Sequence, residues 1–124
     1  MKKIEFQEKL NELLGIDIDD FSIEEKCDFI QKIFIEYQID KDKVRSPLNK
    51  GNKWKDEELK LILSVAATKE NCLKFARLFD RGYGSIEQIY RWASTPKNQL
   101  SEERKGDAFI QQIFKVKKSL GLRN

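Results

Sequence analysis

Residues 52–96 read NKWKDEELKLILSVAATKENCLKFARLFDRGYGSIEQIYRWASTP. The apolar positions recur at helical rather than strand spacing. Leu59, Leu61, Ile62 and Leu63 give the apolar side of a helix from Asp56 to Val65, whose first acids, Asp56, Glu57 and Glu58, suit the positive end of a helix. Cys72, Leu73, Phe75 and Ala76 do the same for a helix from Glu70 to Leu78, with Phe79 closing it. Arg81-Gly82-Tyr83-Gly84 reads as a turn, because glycine tolerates backbone shapes that other residues resist. Tyr83, flanked by two glycines, is expected to be exposed. Ser85 is placed to cap a third helix from Ile86 to Ala93, and Pro96 follows its end. That helix turns Glu87, Gln88 and Arg91 outward.

Outside this stretch the pattern stays helical. Ile4, Leu10, Leu13 and Leu14 share the apolar side of a first helix, which Gly15 ends. Ser22 with Glu25 forms a capping box that starts a second helix near Ile23. Cys27, Phe29, Ile30, Ile33, Phe34 and Tyr37 make that helix apolar on more than one side. Residues 38–53 break the period at Pro47 and Gly51 and read as a basic linker or arm carrying Lys41, Lys43, Arg45, Lys50 and Lys53. A last helix opens at Ser101, with Phe109, Ile110, Ile113, Phe114 and Leu120 as its stripe and Gly121 as its stop. No strand pattern competes with these.

Composition narrows the function. The 124 residues contain no histidine, which removes the commonest general base and metal ligand. Cys27 and Cys72 lack a CxxC partner and read as small buried apolar residues. Asp17, Asp19 and Asp20 lack the glycine and distal glutamate of a calcium loop. Neither an enzyme nor a cofactor or metal site is expected. No apolar run approaches the ~18 residues of a membrane span, and none follows Lys2 and Lys3 as in a signal peptide, so a cytoplasmic protein is expected, nucleoid-associated if it binds DNA. The net charge of +3 is unevenly spread. Residues 1–40 carry 5 basic and 11 acidic residues, a net −6; residues 41–124 carry 19 and 10, a net +9. A basic body joined to an acidic segment bears on the choice of partners.

Trp54, Cys72 and Tyr90 stand 18 residues apart. With Glu57-Glu58-Leu59 after the first, Leu73-Lys74-Phe75-Ala76 after the second, Arg81 at the turn and Ile86 opening the third helix, the stretch resembles the Myb/SANT family of three-helix modules. The resemblance covers about 45 residues. It departs from the family where Cys72 and Tyr90 replace tryptophans, in the GYG turn, and in Trp92 lying two residues past the expected place. It implies that the third helix enters a DNA major groove and that Glu87, Gln88 and Arg91 meet base edges. Glutamine suits adenine, arginine suits guanine and glutamate accepts from cytosine. It also allows a protein-binding use, since many SANT relatives bind protein segments.

The expectation is therefore an all-α helical bundle. An acidic two-helix segment (1–40), a basic arm (41–53), a Myb/SANT-like helix-turn-helix unit (54–96) and a C-terminal amphipathic helix (100–121) follow in order. The expected partner is double-stranded DNA, held by Ser85, Glu87, Gln88 and Arg91 on the third helix, Tyr83 and Arg81 at the turn, and Lys50, Lys53 and Lys55 on phosphates. Lys115, Lys117 and Lys118 extend the basic track. The alternative is a protein-interaction module, gripping a protein partner through the acidic N-terminal helices or the third helix of the Myb-like unit, or a small inhibitor or accessory subunit of a nucleic-acid machine. The C-terminal helix either completes the core or makes a homodimer.

Overall fold

A computed structural model describes residues 1–121. The order is α1 (Lys3–Leu14), α2 (Ile23–Asp42), α3 (Asp56–Leu63), α4 (Lys69–Leu78), α5 (Tyr83–Ser94), a 3-10 turn (Lys97–Gln99), α6 (Glu102–Lys105) and α7 (Ala108–Ser119). Among the described residues there is no strand, and the protein is all-α. No helix there is long and apolar enough to cross a membrane. Two compact units divide within α2, one of residues 1–36 and one beginning at Tyr37.

In the first unit the predicted capping box forms. The Ser22 N–H donates to Glu25 Oε1 and the Glu25 N–H to Ser22 Oγ, both at 3.1 Å. Phe21 meets Phe29 edge to face at 5.7 Å, and the Lys26 ammonium donates to the Leu14 carbonyl, closing the turn between the helices. The unit nevertheless buries almost nothing. No residue of α1 is buried, and Lys26 is the one buried residue of α2. Cys27, expected inside, is exposed.

The second unit has a true core. Leu59 and Ile62 from α3, Ala76 from α4, Ile86 and Ile89 from α5, and Ile113 from α7 are all fully enclosed. α4 lies mainly against α5, while α7 packs on both α3 and α5. Four helices therefore share this core, and α7 completes it.

Three boundaries differ from the sequence reading, each for a local reason. α2 runs on to Asp42, since neither glycine nor proline interrupts residues 38–42 and Gln38 and Lys41 are good helix formers. α5 opens at Tyr83 with Gly82 as its cap, so Ser85 lies in the first turn and caps nothing. The left-handed residue of the α4–α5 turn is Asp80 (φ 50°), a short polar side chain that tolerates that shape, while Gly82 has an ordinary φ of −75°. The last helix is broken at Gly106. Ser101 caps α6 as expected, accepting the Arg104 N–H at 3.2 Å, but Asp107 then caps α7 by accepting the Ile110 N–H at 3.0 Å.

Candidate nucleic-acid interface

The site is built on α5. Its inner face, Tyr83, Ile86, Ile89 and Ala93, is buried, and Tyr90 donates its hydroxyl to the Ile62 carbonyl at 2.6 Å, tying α5 to α3. Its outer face carries Gly84, Ser85, Glu87, Gln88, Arg91 and Ser94, all exposed. Glu87, Gln88 and Arg91 thus lie together on the solvent side, as the 3.6-residue period requires. Glu87 and Arg91 form an i,i+4 ion pair at 3.2 Å, with both side chains about half exposed (48% and 63%). Such a pair is worth ~0.3–0.5 kcal/mol, so a ligand can open it at little cost.

The N-terminal end of α5 is closed by the protein itself. Asp42 Oδ2 accepts the Tyr83 N–H at 2.7 Å across 41 residues of chain. Arg45 holds that carboxylate at 2.9 Å, reaches Asp80 at 3.0 Å with its other arm, and donates to the Arg81 carbonyl. Asn49 adds a backbone bond to the Asp80 carbonyl (3.1 Å) and a side-chain bond to the Phe79 carbonyl (2.8 Å). The stretch read as a loose arm is therefore fastened to the α4–α5 turn. Two of its cations remain at the surface beside α5: Lys43 and Lys50 line a hollow of about 660 Å³ together with Ser85, Glu87 and Gln88.

Three expected contacts are withdrawn by burial. Arg81 is 5% exposed. Its guanidinium lies 4.0 Å over the Trp54 ring and donates to the carbonyls of Asn52 (2.5 Å) and Lys53 (3.1 Å). Burial lowers its pKa, and Glu58 partly offsets that. It is a clamp on the chain entering α3. Tyr83, expected at the surface, is 9% exposed. Its burial, with Cys72 and Glu87 nearby, pushes its hydroxyl up to about 12. Lys53 and Lys55 are exposed at the start of α3, where the Lys55 N–H caps onto Glu58 at 2.8 Å. Lys117 is also inside, donating to the Ala93 carbonyl at 2.5 Å, so it leaves the basic track.

Of the three residues spaced by 18, Cys72 and Tyr90 lie close enough to act on each other electrostatically, and Trp54 has aromatic partners of its own. Trp54 meets Phe79 edge to face at 5.7 Å, and Phe79 stacks on Phe75 at 5.9 Å. Cys72 is buried, with its thiol pushed up to about 11 by burial first and Glu87 second. The same desolvation, with Cys72, takes Tyr90 to about 12. Branched aliphatic side chains fill the centre.

Sequence reading missed Asp42 as the cap of α5, and no local signal marks it. It also missed Lys97 and Lys105 as neighbours of the α7 lysines. Among the described residues no group of three or more acids and cysteines is placed to hold a metal ion.

Residues 48–124 match the family model described as "Uncharacterised protein PM1205 C-terminal domain". The chain belongs to this family. It is 63% identical over 125 residues to "Uncharacterized protein PM1205" of Pasteurella multocida (strain Pm70), with both chains covered in full. No solved structure matches it. The PM1205 C-terminal domain takes in α3 to α7, and so contains all of α5. Asp42 and Arg45, which fasten the start of α5, precede the matched segment.

Proposed function

We propose that this PM1205-family protein binds double-stranded DNA through the outer face of α5, as a regulatory or accessory factor without chemistry of its own. One observation carries the reading. A 12-residue helix has its inner face engaged by the core and its outer face, Ser85, Gln88 and Arg91, left open beside Lys43 and Lys50. In this reading Gln88 pairs with an adenine edge. Arg91, released from Glu87, reaches guanine, and Glu87 then accepts from a cytosine amino group. Lys43 and Lys50 meet flanking phosphates, Lys43 leaving its exposed pair with Asp40 (3.3 Å) to do so. Asp42 already fills the start of α5, so phosphates are not held there. The test is fluorescence anisotropy with duplex DNA over a salt series. Binding that weakens steeply with salt supports the reading. Absence of binding at low salt removes it.

A second reading concerns residues 1–36 and is carried by their exposed apolar side chains. Phe6, Leu10, Leu13 and Leu14 share one face of α1 and are 40–66% exposed. On α2 the positions Ile23, Cys27, Phe29, Ile30 and Ile33 span about 160° of the helix, more than one neighbouring helix covers. Half-exposed large apolar side chains present ~100 Å² each, so Phe6, Leu10, Leu13, Leu14, Ile23, Phe29 and Ile33 together approach the ~800 Å² per partner of a stable interface. The occupant we assign is a second copy of the chain. A dimer also supplies two copies of α5, which suits a unit whose single helix offers few base contacts.

A further inference from the structure

Where the chain leaves α5 it enters a second feature. The 3-10 turn, α6 and α7 enclose a groove of about 760 Å³. Its charged lining is Lys97, Lys105, Lys115 and Lys118, with no carboxylate among the described lining residues. Gln111, Lys115 and Lys118 stand at i, i+4 and i+7 on α7, one stripe of a helix. Lys97 and Lys105 face them from the other wall. Gln111 bridges the walls by donating to the Lys105 carbonyl at 3.0 Å. Phe114 lies in the groove with the Lys97 ammonium 5.5 Å from its ring centre, which holds that cation over the cavity.

Four ammonium groups around one hollow repel one another, and an anion in the hollow relieves that repulsion. The acids of this region are engaged elsewhere or exposed: Asp107 accepts the Ile110 N–H as the cap of α7, and Glu102 meets Lys105 at 3.4 Å with its side chain 93% exposed, a pair of the kind that exchanges readily. Lysines are point charges on flexible stems, so they suit a run of phosphates better than one fixed head group. The stripe from Gln111 to Lys118 is ~10 Å long at 1.5 Å per residue. That is the rise of about three nucleotides at 3.4 Å per strand.

We infer that this groove is a second nucleic-acid contact, holding the phosphodiester backbone beside the helix that reads the bases. The inference rests on the DNA-binding reading above and adds residues to it. Lys115 and Lys118 are exposed, so Lys115→Gln with Lys118→Gln leaves the core intact, which a thermal melt matching wild type confirms. Binding of wild type and double variant to one duplex is measured by anisotropy between about 50 and 200 mM salt. Two lost phosphate contacts lower the slope of log K against log salt by about 1.8. They weaken binding equally on duplexes of unrelated sequence. A double variant with the wild-type slope and affinity overturns the groove while leaving α5 as the reader. A wild type that does not bind duplex DNA overturns both.

Discussion

The Asp42 carboxylate accepts the Tyr83 backbone N–H at 2.7 Å, so a residue at the end of α2 starts α5. The same carboxylate neutralises Arg45, which in turn grips Asp80. One side chain thus closes a helix end and fastens the loop that carries Lys43 and Lys50. Asp42→Ala removes a cap and leaves Arg45 without its closer partner. The expected cost is ~1–3 kcal/mol. Circular-dichroism melts read it as a fall of several degrees, and Asp42→Asn loses less because the amide oxygen still accepts the N–H. A melt unchanged in both variants contradicts the assignment.

Arg81 separates a structural cation from a DNA-binding one. Its guanidinium serves two carbonyls and the Trp54 ring from a buried position. Arg81→Lys keeps the charge and loses the planar fork, which matters at a stacked, multidentate site. The expected outcome is a stability loss of ~1–3 kcal/mol by urea titration. The salt slope of duplex binding should match wild type. A changed slope with unchanged stability places Arg81 on phosphate instead.

The two thiols differ in access. Cys27 is exposed and Cys72 buried. A thiol-specific chromogenic reagent should titrate one thiol of the native protein quickly and the second only after denaturation. Alkali gives a matching signature. The folded state raises Cys72 from 9.0 to about 11, and Tyr83 and Tyr90 from 10.0 to about 12. Groups whose pKa is raised by folding add stability that is complete below their unfolded values and lost as pH climbs through the folded ones. The melting temperature should therefore decline from about pH 9 upward. A melting temperature level to pH 11 contradicts these assignments.

Most helices were legible because their apolar period is strong and their caps are local. Ser22 with Glu25 and Ser101 are read within four residues and form as expected. What could not be read depends on distant chain. Nothing near Tyr83 announces that Asp42 will cap it, so the start of α5 was placed three residues late. Arg81 and Tyr83 looked like surface residues of a glycine-rich turn. They are buried because Trp54 and the segment 42–49 return to cover that turn. The outer face of α5 was legible because periodicity alone sets it. The lysine groove was not, since the wall bearing Lys97 and Lys105 meets α7 only through tertiary folding and the Gly106–Asp107 break.

Self-association through residues 1–36 and DNA binding should respond to salt in opposite directions. Residues 1–40 carry a net −6, so salt screens repulsion between copies and leaves apolar burial in force. Sedimentation equilibrium should show a dimer that tightens from low to moderate salt. Phe6→Ser with Leu13→Ser should shift it to monomer without lowering the melt of the second unit. A wild type that stays monomeric at tens of micromolar contradicts the assignment.

The most direct measurement is duplex binding by a Gln88→Ala, Arg91→Ala variant. These side chains are exposed, and outside their own helix Arg91 has no ion pair among the described residues, so the fold should hold. The account predicts that the variant loses preference among duplex sequences, with each lost base contact costing ~1–3 kcal/mol, while its salt slope changes by no more than about one contact. A variant that binds every duplex as wild type does would show that the outer face of α5 reads no DNA.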